Sequence, residues 1–128
     1  EHHAILNCMK ELEAQGYAVT YLQPDGEGRI SLDALSQALT RDTILVSIMM
    51  VNNETGAVMP IAQMAKLVHR VCPEAIFHTD AVQALGNVPI DVKDMGIDLD
   101  DAKGIWAKIC DFFVMIGKAI ADFFSNLF

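Results

Sequence analysis

Basic charge is scarce in this 128-residue chain: nine Lys and Arg stand against seventeen Asp and Glu, for a net charge of −8. A field of that sign repels phosphate backbones and anionic headgroups, so no nucleic-acid partner is expected. Cysteine is also sparse. Cys8, Cys72 and Cys110 are odd in number and far apart, and no C-x-x-C or Cys/His ligand spacing joins them. A disulfide framework and a zinc site are therefore not expected, and the three read as reduced, buried thiols of a cytoplasmic protein. No basic n-region and apolar h-region of a secretory signal opens the chain, and its first residue is Glu1, the expected look of a piece of something longer. Internal repeats at a fixed period are absent. Aromatics are few and crowded at one end, with five of the six Phe and the only Trp between Trp106 and Phe128.

What the chain does have is apolar bulk. Hydrophobic residues make up 52% and the mean hydropathy is +0.30, which excludes a disordered segment and suits one domain with a single core. Apolar positions Ile5, Leu6, Met9 and Leu12 in "AILNCMKELEAQ" (4–15), stopped by Gly16, predict a helix. "YAVTYL" (17–22) alternates and is rich in β formers, which predicts a strand. After the turn chemistry of "QPDGEG", Ser31 with Asp33 and Leu35 opens a second helix as its N-cap. "TILVSIMMV" (43–51) is almost continuously apolar, the pattern of a strand covered on both faces. Pro60 marks the first turn of a third helix, "PIAQMAKLVHRVC", and Pro73 ends it. "AIFHTD" predicts another short strand, "DVKDMG" a single helical turn, and "IDL" the start of one more strand. Helix and strand alternate about every fifteen residues, so the expected fold class is α/β, a mainly parallel, doubly covered sheet flanked by helices.

Beyond Leu99 the composition shifts. Net charge is −9 over residues 1–102 and +1 over the rest. Asp100 and Asp101 can cap a helix on which Lys108, Asp111, Lys118, Asp122 and Ser125 form one polar stripe in an otherwise apolar surround. Charges interrupt it too often for a membrane span of ~20 apolar residues. A long amphipathic aromatic helix that buries itself against the sheet or a partner chain is the first expectation. Attachment to a membrane surface through 103–128 is the second, and a tail without function the third. The expected organisation is thus 1–99 as an α/β domain and 100–128 as an unrelated C-terminal helix.

Ligands of open parallel sheets sit beyond the carboxyl ends of the strands. Asn52, Asn53 and Glu54 follow the strand 43–51 directly, and Asp80 closes the strand 75–80, so these groups should gather at one edge. Two plain readings stand beside this one: Asn53 as a turn residue, and Asp80 as the cap of the "AVQAL" turn that follows it.

The segments "EHHAIL", "DTILVSIMMVNNETGAVMPI", "HTDAVQALGNVPIDV" and "GIDL" resemble consecutive stretches of the cysteine desulfurases. These are pyridoxal-phosphate enzymes of the class V aminotransferase group that supply sulfur for iron–sulfur cluster assembly. The resemblance covers residues 1–99, and it implies part of the large domain of a pyridoxal-phosphate-dependent transferase. It implies that His2 stacks on the pyridine ring, although an exposed terminal histidine is the plain alternative. Asn53 would contact the cofactor or the substrate side, Asp80 would pair with the pyridinium nitrogen, and Gln83 would donate to the ring's phenolic oxygen. The Asp80 carboxylate matters because a protonated ring nitrogen makes the cofactor an electron sink. His3, His69 and His78 receive no role. An amino acid is the small-molecule substrate the resemblance implies, and self-association is expected because full-length relatives are dimers.

Departures from the family pattern bear on activity. The Schiff-base lysine should lie in a Ser-x-His-Lys segment twenty-six residues after Asp80, where this chain has Trp106. Lys103 and Lys108 lack the Ser and His neighbours, so no catalytic residue is assigned. The Gly/Ser/Thr-rich phosphate loop and the loop bearing a sulfur-accepting cysteine are not matched, Cys110 does not fit the latter, and Met50 stands where many relatives carry His. The expectation is a truncated fragment of a cysteine desulfurase, inactive alone, with weak or no binding of pyridoxal phosphate. The alternative is a non-enzymatic assembly or membrane-surface module that uses the aromatic tail.

Overall fold

A computed structural model of the chain describes residues 1–91. The helical turn expected at "DVKDMG", the strand at "IDL", the long aromatic helix, and with them Lys103, Trp106, Lys108 and Cys110, lie outside the described residues. Within them the order is α1 (His3–Ala14), α2 (Leu32–Ala38), β1 (Leu45–Ser47), α3 (Ile61–Val71) and β2 (Ile76–His78). Each helix starts and stops on a local signal. α1 ends in a Schellman motif: Gly16 takes φ 96°, Tyr17 N–H donates to the Leu12 carbonyl at 3.1 Å, and Gly16 N–H to that of Glu13 at 3.0 Å. Ser31 Oγ accepts from Ala34 N–H at 3.0 Å and so caps α2, with Asp33 in the first turn beside the positive end of the helix dipole. Pro60 occupies the N-cap position of α3, and Cys72 ends that helix one residue before Pro73.

β1, α3 and β2 form a βαβ unit. The two strands pair in parallel, with Leu45 opposite Ile76, Val46 opposite Phe77 and Ser47 opposite His78. Ladder bonds run on past the strand ends: Ile48 N–H donates to the His78 carbonyl at 3.0 Å, and Met50 N–H to that of Asp80 at 2.9 Å. The expected strand 43–51 is therefore shorter in regular geometry than its apolar run. After Met50 the chain folds back in a hairpin bridged antiparallel at Val51 and Val58.

Alternation divides the sheet. Val46, Ile48 and Phe77 point to one face, where Met64 and Val68 of α3 are fully buried, and Leu35 of α2 packs into the same cluster. Residues 61, 64, 65 and 68 make the apolar stripe of α3 at helical spacing, and buried Cys72 continues it just past the helix end. Burying each large side chain there contributes about 1.5–3 kcal/mol. The other face carries Leu45, Ser47, Ile76 and His78, all half-buried. Among the described residues, helices α2 and α3 pack on one face of the sheet expected to be doubly covered.

A second correction concerns "YAVTYL". Residues 17–22 form no strand. A β-forming pattern becomes a strand only when another backbone supplies ladder partners, and among the described residues none pairs with 18–22. The segment lies beside α1 instead: partial desolvation, then the charge and hydrogen bond of Glu13, push the Tyr21 phenol above its ordinary value. Gly28, at φ 79°, lies in the next loop, where a Cβ would come within 3.1 Å of Thr55 Oγ1. That loop thus packs directly against the hairpin.

Candidate functional site

Parallel pairing brings the carboxyl ends of β1 and β2 side by side, and Asp80 lies there. Its carbonyl accepts from Met50 N–H at 2.9 Å, which anchors its backbone to the continuation of β1. The residue is half-buried, and its Oδ1 accepts from Val82 N–H at 3.0 Å. The plain reading of Asp80 as a cap is therefore correct, but it uses one oxygen. Among the described residues the other accepts no hydrogen bond, and no cation pairs with Asp80. Among the described residues an ion pair joins Arg29 to Glu27 at 3.3 Å, in the loop before α2. The carboxylate of a half-buried residue at a strand end without a cation of its own suits a protonated ring nitrogen, and on that donor set pyridoxal phosphate fits.

Asn53 is exposed at the tip of the hairpin turn. The turn itself is built by its neighbour: Asn52 Oδ1 accepts from Glu54 N–H at 3.0 Å, Thr55 N–H at 2.9 Å and Thr55 Oγ1 at 3.1 Å. Asn52 closes an Asx-type turn, which leaves the Asn53 amide uncommitted among the described residues. Gln83 is exposed in the turn that follows Asp80, where its carbonyl accepts from Asn87 Nδ2 at 2.9 Å. Its side-chain amide has no partner among the described residues.

His2 is exposed and caps α1, with Nδ1 accepting from Ala4 N–H at 3.2 Å. This bond fixes the ring on the helix end and leaves the proton on Nε2. The His3 ring stands edge-on at 6.1 Å and 63°. Directly before His2, Glu1 Oε1 accepts from Ser47 Oγ at 3.3 Å, so residues 1–2 lie against the sheet face opposite α3. By alternation from His78, Asp80 belongs to that same face.

Three polar residues received no role from the sequence: Ser47, His78 and Thr79. Ser47 Oγ and His78 Nδ1 are 2.9 Å apart across the register, and Thr79 Oγ1 donates to the Ile48 carbonyl at 2.7 Å. Polar side chains inside apolar strand runs were the available signal, but pairing them requires the register. Two surface grooves among the described residues lie away from these residues. A groove of about 500 Å³ is lined by Asp25, Ile30, Leu32, Val58 and Pro60, and a smaller one by Met50, Met59 and Val88; none of His2, Asn53, Asp80 and Gln83 lines either. Beside the larger groove, hydrogen bonds from Arg29 N–H and Glu27 N–H hold the Asp25 carboxyl below its ordinary value, against partial desolvation.

The aminotransferase class-V family model matches residues 1–101. Cysteine desulfurase IscS of Clostridium botulinum is 52% identical over 101 residues, which are 77% of this chain and 24% of that protein. The putative cysteine desulfurase IscS 1 of Bacillus subtilis is 48% identical over 104 residues, 81% of this chain and 27% of that protein. Among solved structures, a NifS-like protein superposes with a TM-score of 0.72 at 37% identity, covering 77% of this chain and 27% of the other. SspA in complex with cysteine superposes at 0.71 and 41% identity, covering 77% and 28%. The chain spans about a quarter of the length of these relatives. With its α/β fold, its parallel sheet and a match over residues 1–101, the chain belongs to the class-V aminotransferase family, whose members depend on pyridoxal phosphate.

Proposed function

We propose that residues 1–99 are a cysteine desulfurase-type portion of a pyridoxal-phosphate-binding α/β domain, and that residues 100–128 are a segment of separate character. The observation that carries this is the carboxylate of half-buried Asp80 at the strand end, lacking a cation among the described residues. In the family reaction the sulfur of L-cysteine passes to an acceptor and L-alanine is left, for iron–sulfur cluster assembly. Bound pyridoxal phosphate would supply an electron sink for that chemistry. Asp80 would hold the proton on the ring nitrogen, His2 would stack on the ring, Gln83 would donate to the phenolic oxygen, and Asn53 would contact the cofactor or the substrate side. The 128 residues contain no Ser-x-His-Lys segment, and Trp106 stands at the lysine's expected position. Covalent attachment of the cofactor is therefore not proposed for this polypeptide, nor is turnover of L-cysteine by it alone. A cytoplasmic setting and self-association complete the proposal.

Equilibrium dialysis of pyridoxal phosphate against the full chain and Asp80→Asn is the test. The amide keeps an oxygen to cap Val82 but loses the charge, so affinity should fall about tenfold or more while the melting midpoint holds, given ~1.5–3 kcal/mol for a charged hydrogen bond. Equal affinity in the two proteins, or no saturable binding by the unmodified chain, overturns the cofactor reading. Stoichiometric trapping of a borohydride-reduced adduct together with cysteine turnover overturns the inactivity.

A further inference from the structure

We infer that Ser47 and His78 are positioning residues for His2: a hydrogen-bonded chain from His78 through Ser47 to Glu1 pins the start of α1 to the sheet face that ends in Asp80. The inference rests on the cofactor reading only for its purpose, and the chain of contacts stands independently of it. Ser47 and His78 are register partners in the middle of the two strands, 2.9 Å apart through Oγ and Nδ1. Ser47 Oγ is also 3.3 Å from Glu1 Oε1.

The direction of the bonds follows from counting protons. An ionised carboxylate only accepts, and a serine hydroxyl has one proton to give. That proton goes to Glu1, so the Ser47 oxygen accepts, and the donor must be His78 Nδ1–H. The arrangement assigns His78 the Nδ1–H tautomer, the reverse of the tautomer that capping imposes on His2. His78 thereby orients Ser47, Ser47 holds Glu1, and Glu1 precedes the residue whose ring caps α1. The contact of Ser47 with Glu1 joins segments 46 residues apart in sequence, and that of Ser47 with His78 adds a side-chain bond to strands the ladder already pairs. His2 gains a fixed position relative to Asp80, two residues beyond His78 on β2. A ring-stacking group on a helix end needs such a tether, because the first turn of a helix frays most readily.

Nitrogen-15 NMR of the histidine rings and hydrogen exchange of the first α1 amides test this in the full chain. His78 should show the Nδ1–H tautomer. Ser47→Ala should speed exchange at Ala4, Ile5 and Leu6 by about fivefold, the loss of one hydrogen bond's worth of local stability, with the slowest core amides unchanged. His78→Asn, which keeps a donor near the Nδ1 position, should restore protection that His78→Leu removes. Where the unmodified chain binds pyridoxal phosphate, Ser47→Ala should weaken that binding by a similar factor and His78→Asn should not. An Nε2–H tautomer at His78, or α1 exchange unmoved by Ser47→Ala, overturns the clamp. If the clamp signatures appear but no pyridoxal phosphate binds, the clamp stands and the cofactor reading falls.

Discussion

At the scale of single residues, neighbours of one type differ in what they hold. Asn52 and Asn53 are indistinguishable by composition, yet Asn52 accepts three hydrogen bonds inside its turn while Asn53 is exposed beside it. Asn52→Ala should therefore lower the unfolding free energy by about 1–2 kcal/mol, and Asn53→Ala should leave it within ~0.5 kcal/mol, as measured by urea titration. Asp25 offers a test by pH. Its carboxyl accepts from two backbone N–H groups that favour the charged form, so its folded-state pKa lies below the unfolded one. The stability it contributes is fully present above the ordinary carboxylate range and disappears as pH falls through the lower, folded-state value. Between about pH 5 and pH 2 the melting midpoint of the unmodified chain should fall more steeply than that of Asp25→Asn. Parallel curves for the two proteins would remove Asp25 from the acid response.

The elements depend on one helix. α3 joins the parallel strands, packs on β2 and α2, and supplies Met64 and Val68, neither of which is exposed at all. Met64→Ala removes most of a side chain from the centre of that layer. It should cost about 2–5 kcal/mol by chemical denaturation, and exchange protection of the Met50 and Ile48 amides should fall with it, because they bond to β2. α1 behaves differently. Its ends were legible from Ile5, Leu6, Met9 and Leu12 and from the stop at Gly16, because helix capping is local chemistry. The segment after it was misread as a strand. Residues 17–22 have the right β formers, but strand formation is a property of a pair, and no partner backbone could be seen in a pattern of side chains.

For the molecule as a whole, the apolar surface is uneven. Val82 and Leu85 follow the site with 75% and 78% of their surface exposed. Exposed aliphatic groups of that size give the proposed self-association a physical basis. Sedimentation equilibrium should show concentration-dependent association, and Leu85→Lys should weaken it about tenfold or more, since burying a Leu side chain contributes ~1.5–3 kcal/mol. A mass independent of concentration would end that proposal. The same region shows why the proposed site residues could be named before the fold but not ranked. Asp80 and Gln83 could be picked out from a short motif, whereas the unshared oxygen of Asp80 and the exposure of Gln83 are products of packing.

By itself the sequence determined whatever depends on near neighbours along the chain: the helix caps at Ser31 and Gly16, the amphipathic stripe of α3, the turn after Asp80, and the motif wording that leads to the family. Only the tertiary structure decided which polar groups already have partners. Ser47 meets His78 because of the register of two strands separated by the whole of α3, and Asn52 rather than Asn53 closes its turn. Local periodicity can state only that a segment is fit to pair. The hydrogen-bond ladder between distant segments sets what each side chain then meets.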